Sequence, residues 1–238
     1  MQTYEDIWTY LNTSPLTHLT LTLLAYQAGS WIYKKGGMHP LLNPVMIAVI
    51  FVVSGLYFTG TSYADYFEGA QFVHFLLGPA TVALAIPLYL QYEQVKKSAF
   101  AILISIVAGS LTAIITALTI GYLLDGSKIT LLSVAPKSVT TPVAMGISEQ
   151  LGGLPSLTAI LVILTGICGA MLGPICLNLI RVTDKPARGL AMGTASHGIG
   201  TARAFQVNKT AGAFAGLAIG LNALATAILL PLIWNWFF

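Results

Sequence analysis

The sequence predicts an all-α, polytopic membrane protein with about six full spans and two further re-entrant or broken helical segments. Three observations carry this. The 238 residues hold only 11 basic and 8 acidic side chains, 8% charged, against about 25% in soluble domains. Hydrophobic residues make up 56%, where about 45–50% is usual. The apolar residues also gather into stretches of about 20, the length a bilayer core requires. The same numbers exclude a disordered chain. Two cysteines, Cys168 and Cys176, make no disulfide framework. A net charge of +3 is too small and scattered for nucleic-acid binding.

The six spans are expected at 15–33, 41–60, 70–91, 98–124, 155–180 and 211–236. No basic residue precedes the first, and no convincing small-residue cleavage site follows it, so it reads as a retained helix. No linker, repeat array or low-complexity stretch divides the chain, so 1–238 is expected to be one membrane domain. The positive-inside rule places Lys34/Lys35, Lys96/Lys97 and the Arg181/Lys185/Arg188 cluster in the cytoplasm. The N-terminus, with Glu5 and Asp6 and no basic residue, then starts outside. For the fifth span to end inside at Arg181, segment 129–151 must dip in and return. By the same rule 186–206 dips from the cytoplasm, and the last span leaves Trp234 and Trp236 at the outer interface. The alternative is that both segments cross as broken helices, which puts Arg181–Arg188 outside.

Both segments are rich in Gly, Pro, Ser and Thr. Irregular backbone survives at membrane depth only where protein surrounds it or it lines a wet cavity. An earlier stretch, Gly78-Pro79, reads as a break before a half-helix, or as a simple proline kink. In Ser133–Pro142, two prolines, a lysine and four hydroxyls fall within ten residues. A half-helix starting at Pro136 leaves unpaired N–H groups beside its positive dipole end, an arrangement suited to anions. Lys137 adds a full charge, and an intramembrane lysine is a functional candidate, unless it snorkels to the outer interface. In Gly193–Arg203, three glycines permit close backbone approach, with Thr194, Ser196, Thr201, His197 and Arg203 around them. Arginine grips carboxylates bidentately and histidine grips or carries a proton. The alternative is a cytoplasmic loop with a stray arginine. Glu149 closes the first dip, as a partner for Lys137, a proton carrier or a solvated hairpin end.

Dips entering from opposite faces and meeting near the midplane follow the logic of inverted-repeat secondary transporters. A direct repeat signal is faint: a shift of 57 positions places Pro79 on Pro136 and Gly109 on Gly166. Glycines at 212, 216 and 220, and small residues around Gly166, Gly169 and Gly173, allow close helix approach within the chain or between subunits; a homo-oligomer, a dimer, is expected. No His/Cys/Asp/Glu set has metal spacing and no nucleophile motif is present, so no enzyme activity, metal or cofactor is expected.

Three stretches, LLGPATVALAIPLY (76–89), SVAPKSVTTPVAMGIS (133–148) and GTASHGIGTARA (193–204), resemble the LrgB family of bacterial membrane proteins, also called CidB/LrgB. The resemblance covers nearly the whole chain. It implies a multi-pass protein of the bacterial cytoplasmic (inner) membrane, with a small LrgA/CidA-type membrane partner. It also implies two competing functions. One is antiholin-like control of murein hydrolase activity and lysis. The other is carriage of small monocarboxylates, since a plant relative is a plastid glycolate/glycerate translocator and bacterial relatives are linked to pyruvate. A holin needs oligomerising helices but no buried cationic breaks, so the residues favour the carrier. The expected substrate-binding set is Pro136, Lys137, Ser138, Thr140, Thr141, Thr194, Ser196, His197, Gly198, Gly200, Thr201 and Arg203, with His197 or Glu149 for proton coupling.

Overall fold

Prolines set the helix starts. Pro15, Pro44, Pro142, Pro155 and Pro186 each occupy the first turn of a helix, where their fixed φ suits the helix and their missing N–H costs nothing. Side-chain caps reinforce several of these starts. The Asn43 amide oxygen accepts from the backbone N–H of Val45 and Met46 at 2.9 and 3.2 Å, and Asp184 accepts from Ala187 N at 2.9 Å. The computed structural model describes residues 14–83 and 85–237, and all of their regular structure is helical. Contacts divide the chain into two compact units, Met1–Ala83 and Leu84–Phe238. Glu5 and Asp6, on which the outside N-terminus rests, lie outside the described residues.

In the first unit, α1 (Pro15–Lys35) packs against α2 (Pro44–Thr59) and α3 (Tyr63–Phe75). α4 (Leu77–Ala83) follows. Gly29 lets α1 approach the start of α2, since a Cβ there would lie 2.6 Å from Pro44 O. The Thr22 and Tyr66 hydroxyls are 2.9 Å apart, tying α1 to α3.

The second unit begins with the short helices α5 (Ala85–Tyr89) and α6 (Tyr92–Lys97). The long helix α7 (Ala99–Leu123) is followed by α8 (Lys128–Val134), α9 (Thr141–Leu151), α10 (Pro155–Leu179), α11 (Lys185–Val207) and α12 (Lys209–Phe237). The buried core lies along α12. Phe214 and Ala218 meet Ile102 and Ile106 of α7. Farther on, Leu230 and Trp234 meet Ile114, Leu118, Leu131, Leu132 and Ile147.

Three of the expected spans appear as helices long and apolar enough to cross a bilayer: Ala99–Leu123, Pro155–Leu179 and Lys209–Asn235. The chain is therefore a membrane protein by helix length and composition. The apolar α2 has only 16 residues, about 24 Å of helix against a hydrocarbon core of about 30 Å. The expected span at 70–91 is interrupted at Leu76, between α3 and α4, two residues before Gly78-Pro79. Trp234 is buried against α8 with Lys128 Nζ 5.6 Å above its ring, so it packs within the chain.

Candidate functional site

Both polar segments double back. Between α8 and α9 the six residues 135–140 form a turn. The N–H of Leu154, beyond the end of α9, then donates to Ser133 Oγ of α8 at 2.9 Å. A hairpin results, with Pro136–Val139 at its tip. In α11 the reversal is a single residue. His197 has φ 40° and ψ −132°, a region that strongly disfavours side chains. A Cβ on Gly200 would lie 2.5 Å from Met192 O, whereas residues eight apart in a continuous helix are separated by about 12 Å along its axis. Gly189 abuts Ala211 and Gly193 abuts Ala215, so α12 climbs beside arm 185–196. Arm 198–207 must therefore descend to reach its start.

The second hairpin is seated on α10. A Cβ on Gly166 would come 2.6 Å from the His197 ring, one on Gly173 2.6 Å from Met192 Sδ, and one on Gly169 would overlap Ser196. The small-residue stripe thus serves a contact within the chain. His197 Nε2 donates to Val162 O at 2.9 Å, which fixes the ring and helps hold the strained backbone.

The two tips share one side chain. Asn222 of α12 is fully buried, and its Nδ2 donates to Ser138 O at 2.9 Å and to Thr194 O at 3.1 Å. Its Oδ1 accepts from Ser110 Oγ of α7 at 2.5 Å. Ser110 and Asn222 both lie within one residue of the centre of their helices, so the junction sits at mid-depth. Lys137 Nζ donates to Ala113 O at 3.5 Å. Ala113 is two residues from the centre of α7, about 3 Å along the axis, so Lys137 does not snorkel out from an interfacial position. Among the described residues it has no ion-pair partner.

Lys137 opens into a groove of about 600 Å³ between α10 and arm 185–196. Leu161, Leu164 and Leu172 line it, with Ser196 at its inner wall. Ser196 is fully buried and its hydroxyl has no hydrogen-bond partner among the described residues. Both hairpins present helix starts at the tip. Thr140 precedes α9 without capping it through its hydroxyl, and arm 198–207 begins directly after His197. First-turn N–H groups have no partner inside their own helix. A Cβ on Gly198 would meet nothing within 4 Å, so space is open in front of that tip.

The expected residues do not all converge. Pro136, Lys137, Ser138, Thr194, Ser196 and His197 lie at or beside the junction. Thr140 and Thr141 begin the returning arm of the first hairpin, and Gly200 and Thr201 are buried in that of the second. Arg203 stands farther down that arm, 3.4 Å from Gln206 Oε1, in a small cleft that Arg188 also lines. Glu149 is exposed in the last turn of α9, at the far end from the tip. Asn222 and Ser110 escaped the sequence reading. The signal for Asn222 was a lone amide near the middle of an apolar helix, where a polar side chain needs a partner, whereas Ser110 is one of several hydroxyls along α7.

Residues 22–236 match the LrgB-like family. The chain belongs to the LrgB family. It is 33% identical to the antiholin-like protein LrgB of Bacillus subtilis (strain 168), over 92% of this chain and 94% of that protein. Identity is again 33% to the holin-like protein CidB of Staphylococcus epidermidis, over 90% and 93%. With YwbG of Bacillus subtilis it is 36%, over 91% and 96%. No solved structure matches. In this LrgB-family chain, two of the three stretches that carry the resemblance, 133–148 and 193–204, contain the hairpin tips.

Proposed function

We propose that this LrgB-family protein is a secondary carrier of small monocarboxylates such as glycolate, glycerate or pyruvate. On this reading it lies in the bacterial inner membrane with six spans, and its two hairpins re-enter from opposite faces. It works with an LrgA/CidA-type partner, as a homodimer. The observation that carries the reading is the shared Asn222 amide, which holds two helix breaks together at mid-depth beside an unpaired lysine. An unpaired ammonium at that depth is costly, and an anion offsets the cost. Lys137 supplies the charge. The first-turn N–H groups of α9 and of arm 198–207, with the hydroxyls of Thr140, Thr141 and Ser196, supply directional donors. Ser138 contributes its backbone to the junction. Thr194 and Thr201 line the second hairpin, and Arg203 adds positive potential along the path from the cytoplasmic face. Proton coupling rests with His197 rather than the remote Glu149.

The second reading is an antiholin-like regulator of murein hydrolase activity and lysis. The names of the relatives favour it directly, since they say antiholin-like and holin-like and mention no substrate. Uptake of labelled glycolate and pyruvate into proteoliposomes separates the two, with and without the LrgA/CidA-type partner. The carrier requires saturable flux that Lys137→Ala abolishes and Arg203→Ala weakens. Absence of saturable flux even with the partner, alongside retained control of lysis in cells by Lys137→Ala, establishes the regulator instead.

A further inference from the structure

The groove beside Lys137 is far larger than a two- or three-carbon acid needs. It follows α10 from Leu161 to Leu177, about 24 Å along the helix axis. Its walls are almost wholly apolar. Among the described residues Lys137 is the one charge in it, and the buried Ser196 hydroxyl, without a partner among them, stands on its wall. A single cation beside an apolar trough matches a single anion on an aliphatic body. A phosphate dianion would leave charge uncompensated, and a polyhydroxy acid would leave its hydroxyls unpaired against leucine.

We infer that this groove binds an alkyl-tailed monocarboxylate, with the carboxylate on Lys137 and Ser196 and the tail lying along Leu161, Leu164 and Leu172. The inference rests on the reading of Lys137 as a carboxylate's counter-charge, and it extends the ligand class from small polar acids to acids of several methylenes. Each methylene fully buried from water is worth about 0.8 kcal/mol, which converts to about fourfold in affinity.

The test is binding of tritiated octanoate to the purified protein in phosphatidylcholine nanodiscs, competed by acetate, butyrate, hexanoate and octanoate. Competition is expected to tighten about two- to fourfold per methylene. Methyl octanoate, which partitions into the bilayer but carries no charge, is expected not to compete. Lys137→Gln is expected to weaken octanoate at least tenfold. Leu172 is half exposed, so Leu172→Trp fills the groove without entering the core. It is expected to abolish the chain-length dependence. Affinity that is flat across the series, or octanoate binding indifferent to both substitutions, overturns the inference. So does a loss of self-association in Leu172→Trp without any carboxylate binding, which assigns the groove to a second copy's helix. Flat affinity with glycolate or pyruvate still carried removes the groove ligand and leaves the carrier. Graded, Lys137-dependent binding without flux of any acid removes the carrier and leaves the groove.

Discussion

Replacing Asn222 by leucine keeps its heavy-atom count and branching and removes every hydrogen bond at the junction. The carbonyls of Ser138 and Thr194 lose their shared donor, and the Ser110 hydroxyl loses its acceptor. Side-chain hydrogen bonds inside membrane proteins average about 0.6 kcal/mol, with a maximum near 1.7. Three bonds therefore place the loss at about 2 kcal/mol, with a ceiling of about 5. Asn222→Asp discriminates further. An ionised carboxylate has no donor and turns oxygen atoms toward both carbonyls, so this variant is expected to be less stable than Asn222→Ala. Stability is read from reversible unfolding in mixed micelles. A double-mutant cycle with Ser110→Ala is expected to return a coupling of about 0.6 kcal/mol or more. Asn222→Leu at wild-type stability within about 0.5 kcal/mol, or aspartate equal to alanine, would refute the junction as a structural clasp.

At the second tip, His197→Gly is expected to be at least as stable as wild type, because relief of about 1–3 kcal/mol of backbone strain exceeds the loss of the Val162 hydrogen bond. His197→Ala keeps the strain and loses the bond, so it is expected to lose about 1 kcal/mol; equal stabilities would contradict the strained turn. Gly166→Val is expected to cost about 1–3 kcal/mol by overpacking, since its Cβ would press on the His197 ring at 2.6 Å, and an unperturbed unfolding midpoint would contradict that seating. In a background with Cys168 and Cys176 replaced, single cysteines at Lys185 and Asn208 are expected to react with an impermeant maleimide from the same face, because arm 198–207 returns to where arm 185–196 began; labelling from opposite faces would contradict the re-entrant reading.

The all-helical class and three of the six expected spans were legible because the bilayer imposes length and polarity limits that composition reveals directly. The three longest apolar stretches became α7, α10 and α12 with boundaries shifted by at most about two residues. The two dips were read from charge placement at Lys96/Lys97 and Arg181, with Pro136, Pro142 and the Gly193–Gly200 run marking where backbone breaks. What was not legible has equally physical causes. The interruption at 70–91 is marked only by a Gly-Pro pair two residues on, which fits a kink as well as a stop. Arg203 looked close to His197 because they are six residues apart, but the reversal at His197 sends the chain away from the tip. Asn222 could not be paired from sequence, since its partners Ser138 and Thr194 are 84 and 28 residues away. Their bonds are to backbone carbonyls, which leave no side-chain signature.

The most direct test of a carboxylate at the hairpin junction is a solid-state NMR distance measurement in lipid bilayers, between 13C-carboxyl pyruvate and 15Nζ-lysine. Dephasing is expected to place the carboxyl carbon within about 4 Å of one ammonium, the reach of an ion pair, and to vanish in Lys137→Arg labelled the same way. No contact at saturating pyruvate, or a contact that persists in that variant, would contradict the account.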